Sequence, residues 1–280
     1  MAEHKLQPFR LTATGYNINY LPEYIALRHG FFREQGLDVA VTIPTPWDGV
    51  LDHLAEGSAD MALGGIWVPT MYRDRVENYT VFAQIANRCP LALLRRRQRE
   101  PFKLADVTGK TVLMKSIGGA SVGLFFKMLL REHKIDERSV DYIQDLDGVM
   151  LGKLFQGGMG DYFVTDNLSA LAMTASNPDI VIEFLAAKQR FCVALQKGID
   201  WVLANDAETF RDELADLFPR VPVDVAVSVT NGFRRDGMWT STTVSHDGYA
   251  RWQIGLTDAR LVKSPLPYEA LVHETAPDEA

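Results

Sequence analysis

Apolar and polar residues follow two periods along this chain, one typical of half-buried strands and one typical of amphipathic helices. The clearest passage is 47–67, which predicts a loop, a short helix with its apolar residues on one face, and then a buried strand at 59–63. Gly57 falls where the helix should end, because glycine is common just past a helix C-terminus. The passage is therefore predicted to be one helix–strand unit of an α/β fold.

A second passage, 149–166, repeats this order about a hundred residues later. Each copy has Leu-x-x-Leu, then glycine, then an aspartate, and then an apolar strand. Asp60 and Asp161 hold equivalent places between helix and strand, so we expect both to be structural. The repetition predicts two similar α/β lobes that meet at a cleft.

The remaining periodic segments alternate between the two types of element. Strands are predicted at 9–13, 37–43, 79–86, 111–114, 140–143, 180–184 and 190–196, and helices after Pro22 and at 69–75, 122–132, 200–203, 207–218 and 246–256. Strands that alternate with helices are typical of α/β proteins with mostly parallel sheets. No low-complexity linker divides the chain.

Composition limits the class of protein more than it identifies a function. The 280 residues are 47% hydrophobic and 23% charged, as in ordinary globular proteins, and the net charge of −7 argues against nucleic acid or anionic membrane as a partner. The short basic run at 95–97 fits either a solvated connection between lobes or a phosphate or partner contact.

Two cysteines exclude a disulfide-rich scaffold and a cysteine-based zinc site. Cys89 and Cys192 lie in similar apolar surroundings, which fits buried thiols or a disulfide between neighbouring strands. No stretch approaches the roughly 20 apolar residues of a membrane span, so no direct membrane insertion is expected. Residues 1–10 lack a signal-peptide pattern, which predicts a cytoplasmic chain as written, or a periplasmic or envelope-associated one if a leader was removed.

Several motifs resemble one family of solute-binding proteins. They are GFFREQGLDV at 30–39 with the residues before it, GSAD at 57–60, LADVTGKTV at 104–112, Gly248-Tyr249, and PLPYEALV at 265–272. This is the family of ABC-transporter solute-binding proteins for alkanesulfonate, taurine, nitrate and thiamine-pyrimidine precursors. The PTP at 44–46 looks most like the pyrimidine-precursor branch.

The resemblance implies a type II periplasmic-binding fold, with two mainly parallel sheets flanked by helices and two crossover strands. The crossovers are expected at 89–94 and 190–196, with residues 1–90 plus 191–280 in lobe 1 and 91–190 in lobe 2. It further implies hinge closure over a small-molecule ligand and an ABC-transporter permease as a partner.

Ligands of open α/β sheets bind beyond the carboxyl ends of the strands. This rule selects the loops that follow the predicted strands, where aromatic rings could stack on a planar ligand and polar groups could orient it. The candidate ligand-binding residues are Tyr16, Asn17, Asn19, Tyr20, Trp47, Asp48, Gly65, Trp67, Ser116, Gly118, Gly119, Ser121, Asp166 and Asn167.

Each candidate also has a structural interpretation. The aromatic residues could instead pack in the core, and Asp48, Asp166 and Asn167 could cap the helices that follow them. The small residues from Ser116 to Ser121 offer an anion or carbonyl site at a helix N-terminus, but they also suit an ordinary turn. Trp239 is a further candidate, as a lid over the cleft.

The sequence predicts no catalytic, metal or cofactor site. The six histidines are scattered, and no nucleophile-elbow, Walker or zinc-protease motif is present. Two enzymes of the same fold, the yeast-type pyrimidine synthase and the aromatic sulfinate desulfinase, use a histidine or a cysteine in the first loop, whereas 17–21 here reads NINYL.

The leading hypothesis is therefore a non-catalytic protein that binds a small planar nitrogen-containing or anionic molecule between two lobes. The alternative is a cytoplasmic enzyme on the same scaffold, decarboxylase-like or lyase-like, acting on a small aromatic or heteroaromatic acid. Its titratable candidates are Asp48, Lys115 and Asp166. A cytoplasmic ligand sensor is a third interpretation.

Overall fold

The computed structural model describes residues 6–86, 90–98, 100–114, 120–184, 193–240 and 242–272. Within these ranges the chain forms two sheets surrounded by helices, as the α/β pattern predicts. Cys89 and Cys192, and with them the question of a disulfide, lie outside the described residues. No helix of the described chain is both long and apolar enough to cross a membrane.

The first sheet has three parallel strands in the order β2-β1-β3. They are β1 (Gln7–Ala13), β2 (Leu37–Thr42) and β3 (Met61–Leu63). Burial alternates along β2, as expected of a strand with one face on the core. Parallel pairing places the carboxyl ends of all three strands at one edge of the sheet.

The second sheet has five strands in the order β6-β5-β7-β4-β8. They are β4 (Leu91–Arg96), β5 (Thr111–Met114), β6 (Asp141–Ile143), β7 (Tyr162–Asp166) and β8 (Ile180–Phe184). Strand β4 is antiparallel to both of its neighbours, whereas β5 is parallel to β6 and β7. Its position fits the first predicted crossover.

Eleven α-helices are described. They are α1 (Leu21–Arg28), α2 (Phe31–Glu34), α3 (Gly49–Ala55), α4 (Trp67–Tyr72), α5 (Ala120–Glu132), α6 (Gly148–Gln156), α7 (Asn167–Ser176), α8 (Val193–Ala204), α9 (Arg211–Leu217), α10 (Val223–Arg235) and α11 (His246–Asp258). A 3-10 helix, Ile18–Tyr20, runs directly into α1, whose first turn contains Pro22 as predicted.

The two sheets repeat one unit. The order β2-β1-β3 matches β6-β5-β7, and a helix precedes the third strand of each. Asp60 accepts a hydrogen bond from the backbone N–H of Arg10 at 2.7 Å, and Asp161 accepts one from that of Thr111 at 2.9 Å. The backbone N–H of each aspartate donates to the carbonyl of the same partner at 2.8 Å. Both aspartates are therefore structural, as the repeat predicts.

Helices α8 and α10 share one hydrophobic core with α1. Helix α8 packs along α1 so closely that a Cβ at Gly198 would overlap the carbonyl oxygen of Pro22. The same core contains Phe210, Phe233 and the fully buried Trp239. The predicted lid contact of Trp239 is thus wrong, because its indole lies inside the core.

Helix α11 joins elements that belong to different sheets. It packs against α4 and against α5. Arg251 forms two hydrogen bonds with the Glu132 carboxylate of α5, at 2.7 and 2.6 Å. The buried side chain of Gln253 donates to Thr70 of α4 at 3.0 Å. This helix therefore bridges two helices that follow strands of different sheets.

Two predicted strands differ in the structure. Residues 79–86 form only an isolated bridge between Val81 and Val272, because their apolar side chains line a cavity and two small cores instead of a sheet face. The second crossover at 190–196 is helical from Val193 onward, since α8 begins there, and residues 190–192 lie outside the described chain.

The basic run is not a solvated connection. The Arg95 side chain is only 7% exposed and pairs with Glu183 at 3.0 Å. Arg96 donates to the carbonyls of Phe155 and Gly160, at 2.8 and 2.6 Å. These carbonyls lie at and beyond the C-terminus of α6, where unpaired helix carbonyls need donors. Both side chains stabilise the second sheet and its helix.

Candidate functional site

A cavity of about 890 Å³ lies between the two sheets. It is lined by the loops that follow β1 and β3, by α3, by residues 78–86, by the start of β4 and the end of β7, and by one face each of α5 and α11. This region lies beyond the carboxyl ends of the strands, where ligands of open α/β sheets bind. Its volume is within the range of small-molecule sites, about 300–1,000 Å³.

The loop after β1 is fixed by two aromatic side chains. The Tyr24 hydroxyl accepts from the backbone N–H of Asn17 at 3.0 Å and donates to the carbonyl of the same residue at 3.1 Å. The Tyr16 ring stacks on Tyr24 with centroids 4.4 Å apart, and Tyr16 remains 51% exposed. Burial raises the pKa of Tyr24, so its hydroxyl stays protonated. The loop therefore presents a fixed aromatic ring to the cavity.

Asn19 is held in place by the core behind it. Its backbone carbonyl accepts from the Trp239 indole N–H at 3.0 Å. The side chain is almost fully buried, and its Oδ1 has no hydrogen-bond partner and almost no accessible surface. A buried amide oxygen without a partner costs free energy. Burial raises the pKa of the neighbouring Tyr20, and hydrogen bonds from Thr14 and Asn19 oppose that shift.

Trp47 and Trp67 form one aromatic corner of the cavity. Their rings meet edge to face with centroids 5.8 Å apart, and both line the cavity. Gly65 allows this arrangement, because a Cβ there would overlap the Trp67 indole. Trp67 is the first residue of α4, so the helix start fixes its direction. The corner offers two ring surfaces to a planar or cationic group.

Of the two acidic candidates, only Asp166 lines the cavity. Asp166 lines the cavity and also caps α7, where it accepts from the Ser169 N–H at 2.8 Å and hydroxyl at 2.7 Å. Asp48 is exposed at the start of α3, makes no side-chain cap and lies outside the cavity lining. Asn167 also lies outside the lining, and its Oδ1 is buried without a partner.

The structure thus brings eight of the candidates into one cavity wall. They are Tyr16, Asn17, Asn19, Tyr20, Trp47, Gly65, Trp67 and Asp166. Ser116, Gly118 and Gly119 lie outside the described residues. Ser121 belongs to α5, but its side chain is not described.

Several cavity residues were not found from the sequence. Phe125 of α5 and Tyr249 and Trp252 of α11 form an apolar wall, and Tyr79 and Phe82 line the cavity from the segment that had been predicted as a strand. Apolar residues on a helix face give the same pattern whether they face a core or a cavity. No sequence signal separated these two cases.

The charged groups of the described lining are already paired. Arg251 is the only basic residue among them and bonds Glu132. Asp60 pairs with Arg10, and this hydrogen-bonded contact holds the pKa of Asp60 at about 2. Within the described chain, no group of three or more His, Cys, Asp or Glu residues could hold a metal ion. The lining is suited to binding by stacking and hydrogen bonding.

Comparison with known proteins gives one family and one fold. A family model described as NMT1/THI5 like matches residues 17–158. The Bacillus subtilis (strain 168) protein named "Putative binding protein YtlA" is 26% identical, with 97% of this chain and 89% of that protein covered.

Two solved structures share the two-lobed fold. The periplasmic aliphatic sulphonate binding protein SsuA from Escherichia coli has a TM-score of 0.71 at 15% identity, covering 98% of this chain and 94% of its own. The periplasmic nitrate-binding protein NrtA from Synechocystis PCC 6803 has a TM-score of 0.59 at 14% identity. The match covers 96% of this chain and 86% of NrtA. At these identities the likeness establishes the fold and leaves the ligand open.

Proposed function

This chain belongs to the NMT1/THI5-like family, and from that membership we propose that it is a solute-binding protein. It holds one small molecule in the cavity between the two sheets and releases it unchanged. The ligand is planar and carries nitrogen or a charged group. The partner that receives it is the permease of an ABC importer.

One observation carries this proposal: the aromatic corner of Trp47 and Trp67 and the ring of Tyr16 line the same cavity between the two sheets. A planar ring would stack on Trp47 or Trp67. Stacking holds a molecule and changes no covalent bond. The geometry therefore favours capture over chemistry.

The names of the similar proteins agree with a binding role. YtlA is named as a binding protein without a ligand, SsuA as a binder of aliphatic sulphonates, and NrtA as a binder of nitrate. Sulphonates and nitrate are the ligands of those two proteins. They support a small polar or charged solute as the class to test for this chain.

The enzymatic alternative has no support among the described residues. Asp166 already caps α7 with both of its oxygens, and Asp48 is exposed outside the cavity lining. A general acid or base must reach the reacting group, which neither placement favours. Lys115 lies outside the described chain.

We propose the two lobes that the resemblance implies. Lobe 1 comprises residues 1–90 and 191–280, a division supported by the core that α8 and α10 share with α1. Lobe 2 comprises 91–190, which contains the five-stranded sheet. The proposed ligand-binding set is the eight cavity-lining candidates, and Asp48, Ser116, Gly118, Gly119, Ser121 and Asn167 stay predictions. Closure of the lobes would bury the ligand.

Recovery of the bound molecule tests the proposed function. The purified protein is analysed by native mass spectrometry, and the released ligand is identified and titrated back by calorimetry. We expect one ligand per chain and recovery of the same molecule after long incubation. Conversion of the ligand into a product would overturn the proposal in favour of an enzyme.

A further inference from the structure

The third strand of the first sheet has one edge to which no described strand is paired. The order β2-β1-β3 places β3 (Met61–Leu63) at the end of that sheet, with β1 on one side only. In the second sheet the equivalent strand is β7, and β4 pairs with it antiparallel on the side away from β5. The position that β4 takes beside β7 therefore holds no described strand beside β3. We call this side of β3 its free edge.

The repeated aspartates relate β3 to β7 residue by residue. Asp60 and Asp161 make the same backbone contacts in their two sheets. Ala62, two residues after Asp60, is therefore equivalent to Phe163, which lies opposite Leu94 of β4. The repeat thus shows that a planar extended backbone fits against this edge of the unit.

Ala62 is the residue whose backbone groups point to the free edge. Ala13 pairs with Leu63 in register, and the Thr14 N–H donates to the Leu63 carbonyl at 3.0 Å. Because alternate residues of a strand bond to opposite sides, Met61 and Leu63 bond β1, whereas Ala62 directs its N–H and C=O away from β1. Neither group of Ala62 is hydrogen-bonded to another described residue.

The free edge forms part of the cavity wall. Every residue from Asp60 to Gly65 lines the cavity, so the cavity follows β3 along its whole length. The aromatic corner begins where the strand ends, since a Cβ at Gly65 would overlap the Trp67 indole. A ring stacked on the corner can therefore direct an attached polar group to the free edge.

The space beside the free edge is large enough for such a ligand. Four aliphatic side chains, from α3 and from the segment 79–86, line the cavity and are only partly buried: Leu51, Leu54, Val81 and Ala83. The cavity of about 890 Å³ is several times the roughly 150 Å³ that holds benzene in an engineered core. It therefore has room for a ring and a further group.

The chemistry of an edge residue determines which group fits it. Unpaired N–H and C=O groups on a sheet edge are a template for another planar amide, which is how extended peptides bind to sheets. The N–H and C=O of one extended residue lie side by side. A primary carboxamide or a cyclic amide also has its N–H and C=O on one side and can bond both, whereas a trans secondary amide has them on opposite sides.

We infer that the ligand carries a carboxamide or a cyclic amide that hydrogen-bonds to Ala62 on the free edge of β3. The Ala62 N–H donates to the ligand carbonyl, and the Ala62 carbonyl accepts from the ligand N–H. The inference rests on the proposed function and narrows its planar ligand to an amide, with no condition on net charge. It adds Ala62 to the binding site through its backbone.

Three neutral probes of similar size test the inference: benzamide, acetophenone and N-methylbenzamide. Acetophenone has a methyl group in place of the amide nitrogen, and trans N-methylbenzamide has its N–H on the side opposite its C=O. Each is titrated at millimolar concentration by calorimetry. We expect benzamide to bind about tenfold more tightly than the other two, the effect of one hydrogen bond to the wall.

Two substitutions of Ala62 isolate the contribution of its N–H. Ala62→Pro removes this donor, and proline is tolerated on an edge strand where the N–H points away from the ladder. Ala62→Val adds similar bulk and keeps the donor, so it is the matched comparison. Benzamide should bind about tenfold more weakly to Ala62→Pro than to Ala62→Val, with thermal melting to verify that both are folded.

Hydrogen exchange in the wild type tests the same contact without a substitution. In the protein freed of ligand, the Ala62 amide should exchange quickly, whereas the Met61 and Leu63 amides, which bond β1, should exchange slowly. Benzamide at ten times its Kd should slow the exchange of Ala62 about tenfold. Slow exchange of Ala62 without ligand would mean that another part of the chain already pairs with the free edge, and the inference would be wrong.

The outcomes separate this inference from the proposed function. If the three probes bind equally, or the ligand recovered from the purified protein has no such amide, the amide preference is overturned while the binding role stands. If no probe binds and no ligand is recovered, both fail. Preferred binding of benzamide that Ala62→Pro weakens relative to Ala62→Val supports the inference.

Discussion

Trp239 illustrates how a residue outside the cavity fixes a residue inside it. Its ring is fully buried against Phe233, and its N–H bonds the backbone carbonyl of Asn19. The sequence showed only a tryptophan before a polar stretch, which fits a lid as well as a core. The sequence around Trp239 does not show whether its ring lies in the core or in the cavity. Only the structure places it in the core.

Glu23 gives a prediction for stability. Its pKa is about 8 in the folded chain against an ordinary value of 4.5, so the folded state holds the proton more tightly than the unfolded state. The contribution of Glu23 to the free energy of unfolding is therefore greatest below about pH 4.5, where both states hold the proton. This contribution is lost as pH rises through 8. Relative to Glu23→Gln, the wild type should lose on the order of 4 kcal/mol of unfolding free energy over this range.

Urea unfolding of both proteins at several pH values measures that difference. The two stabilities should be similar near pH 4.5 and should diverge steadily toward pH 9, with the glutamine variant more stable. Parallel curves across the whole range would mean that Glu23 is ionised or solvated in the folded chain.

At the scale of elements, close contacts between helices depend on particular glycines. Gly198 of α8 faces the backbone carbonyl of Pro22, which cannot move without distorting α1. Gly232 of α10 has open space, with the nearest atom to a new Cβ at 3.9 Å on the flexible Arg235 side chain. Both glycines are inside helices, so they form a matched pair.

Gly198→Ala should therefore destabilise the protein by about 1–3 kcal/mol through overpacking. Gly232→Ala should stabilise it by about 0.5–1 kcal/mol, because alanine favours a helix. Thermal or urea unfolding compares the two variants with the wild type. Equal shifts in the same direction would contradict the close packing of α8 on α1.

The sequence predicted the repeated unit well and its surroundings poorly. Periodicity located the parallel strands of both sheets, and the spacing of Asp60 and Asp161 indicated their shared structural role, which the structure confirms. The segment 79–86 was mistaken for a strand because an apolar run has the same pattern when it lines a cavity. The start of α8 was mistaken for a strand because a short apolar run does not separate the two types of element.

The candidate site, too, was predicted only in part from the sequence. The expectation that ligands bind beyond the carboxyl ends of the strands selected cavity-lining residues after β1 and β3 and at the end of β7, because it depends only on the direction of the strands. The wall formed by Phe125, Tyr249 and Trp252 was missed, since α5 and α11 pack together from positions more than a hundred residues apart in the sequence. Such a pairing depends on tertiary packing, which no local pattern records.

On the scale of the whole molecule, the cavity depends on how the two sheets are held together. Strand β4 begins beside the cavity on one side, and α11 joins α4 and α5 on another. If the lobes close about the crossovers as we propose, a ligand that contacts both sheets would stabilise the closed form. We propose that the aromatic corner of this cavity holds that ligand.

Calorimetric titration of the recovered ligand into Trp67→Ala and Trp47→Ala tests this claim most directly, with Trp201→Ala as the control. Trp201 packs on Phe210 and His29 away from the cavity. Each corner variant should bind more weakly by on the order of 1–3 kcal/mol, from lost burial and stacking. The control should melt earlier and bind normally. Normal binding by both corner variants, with earlier melting, would contradict the account.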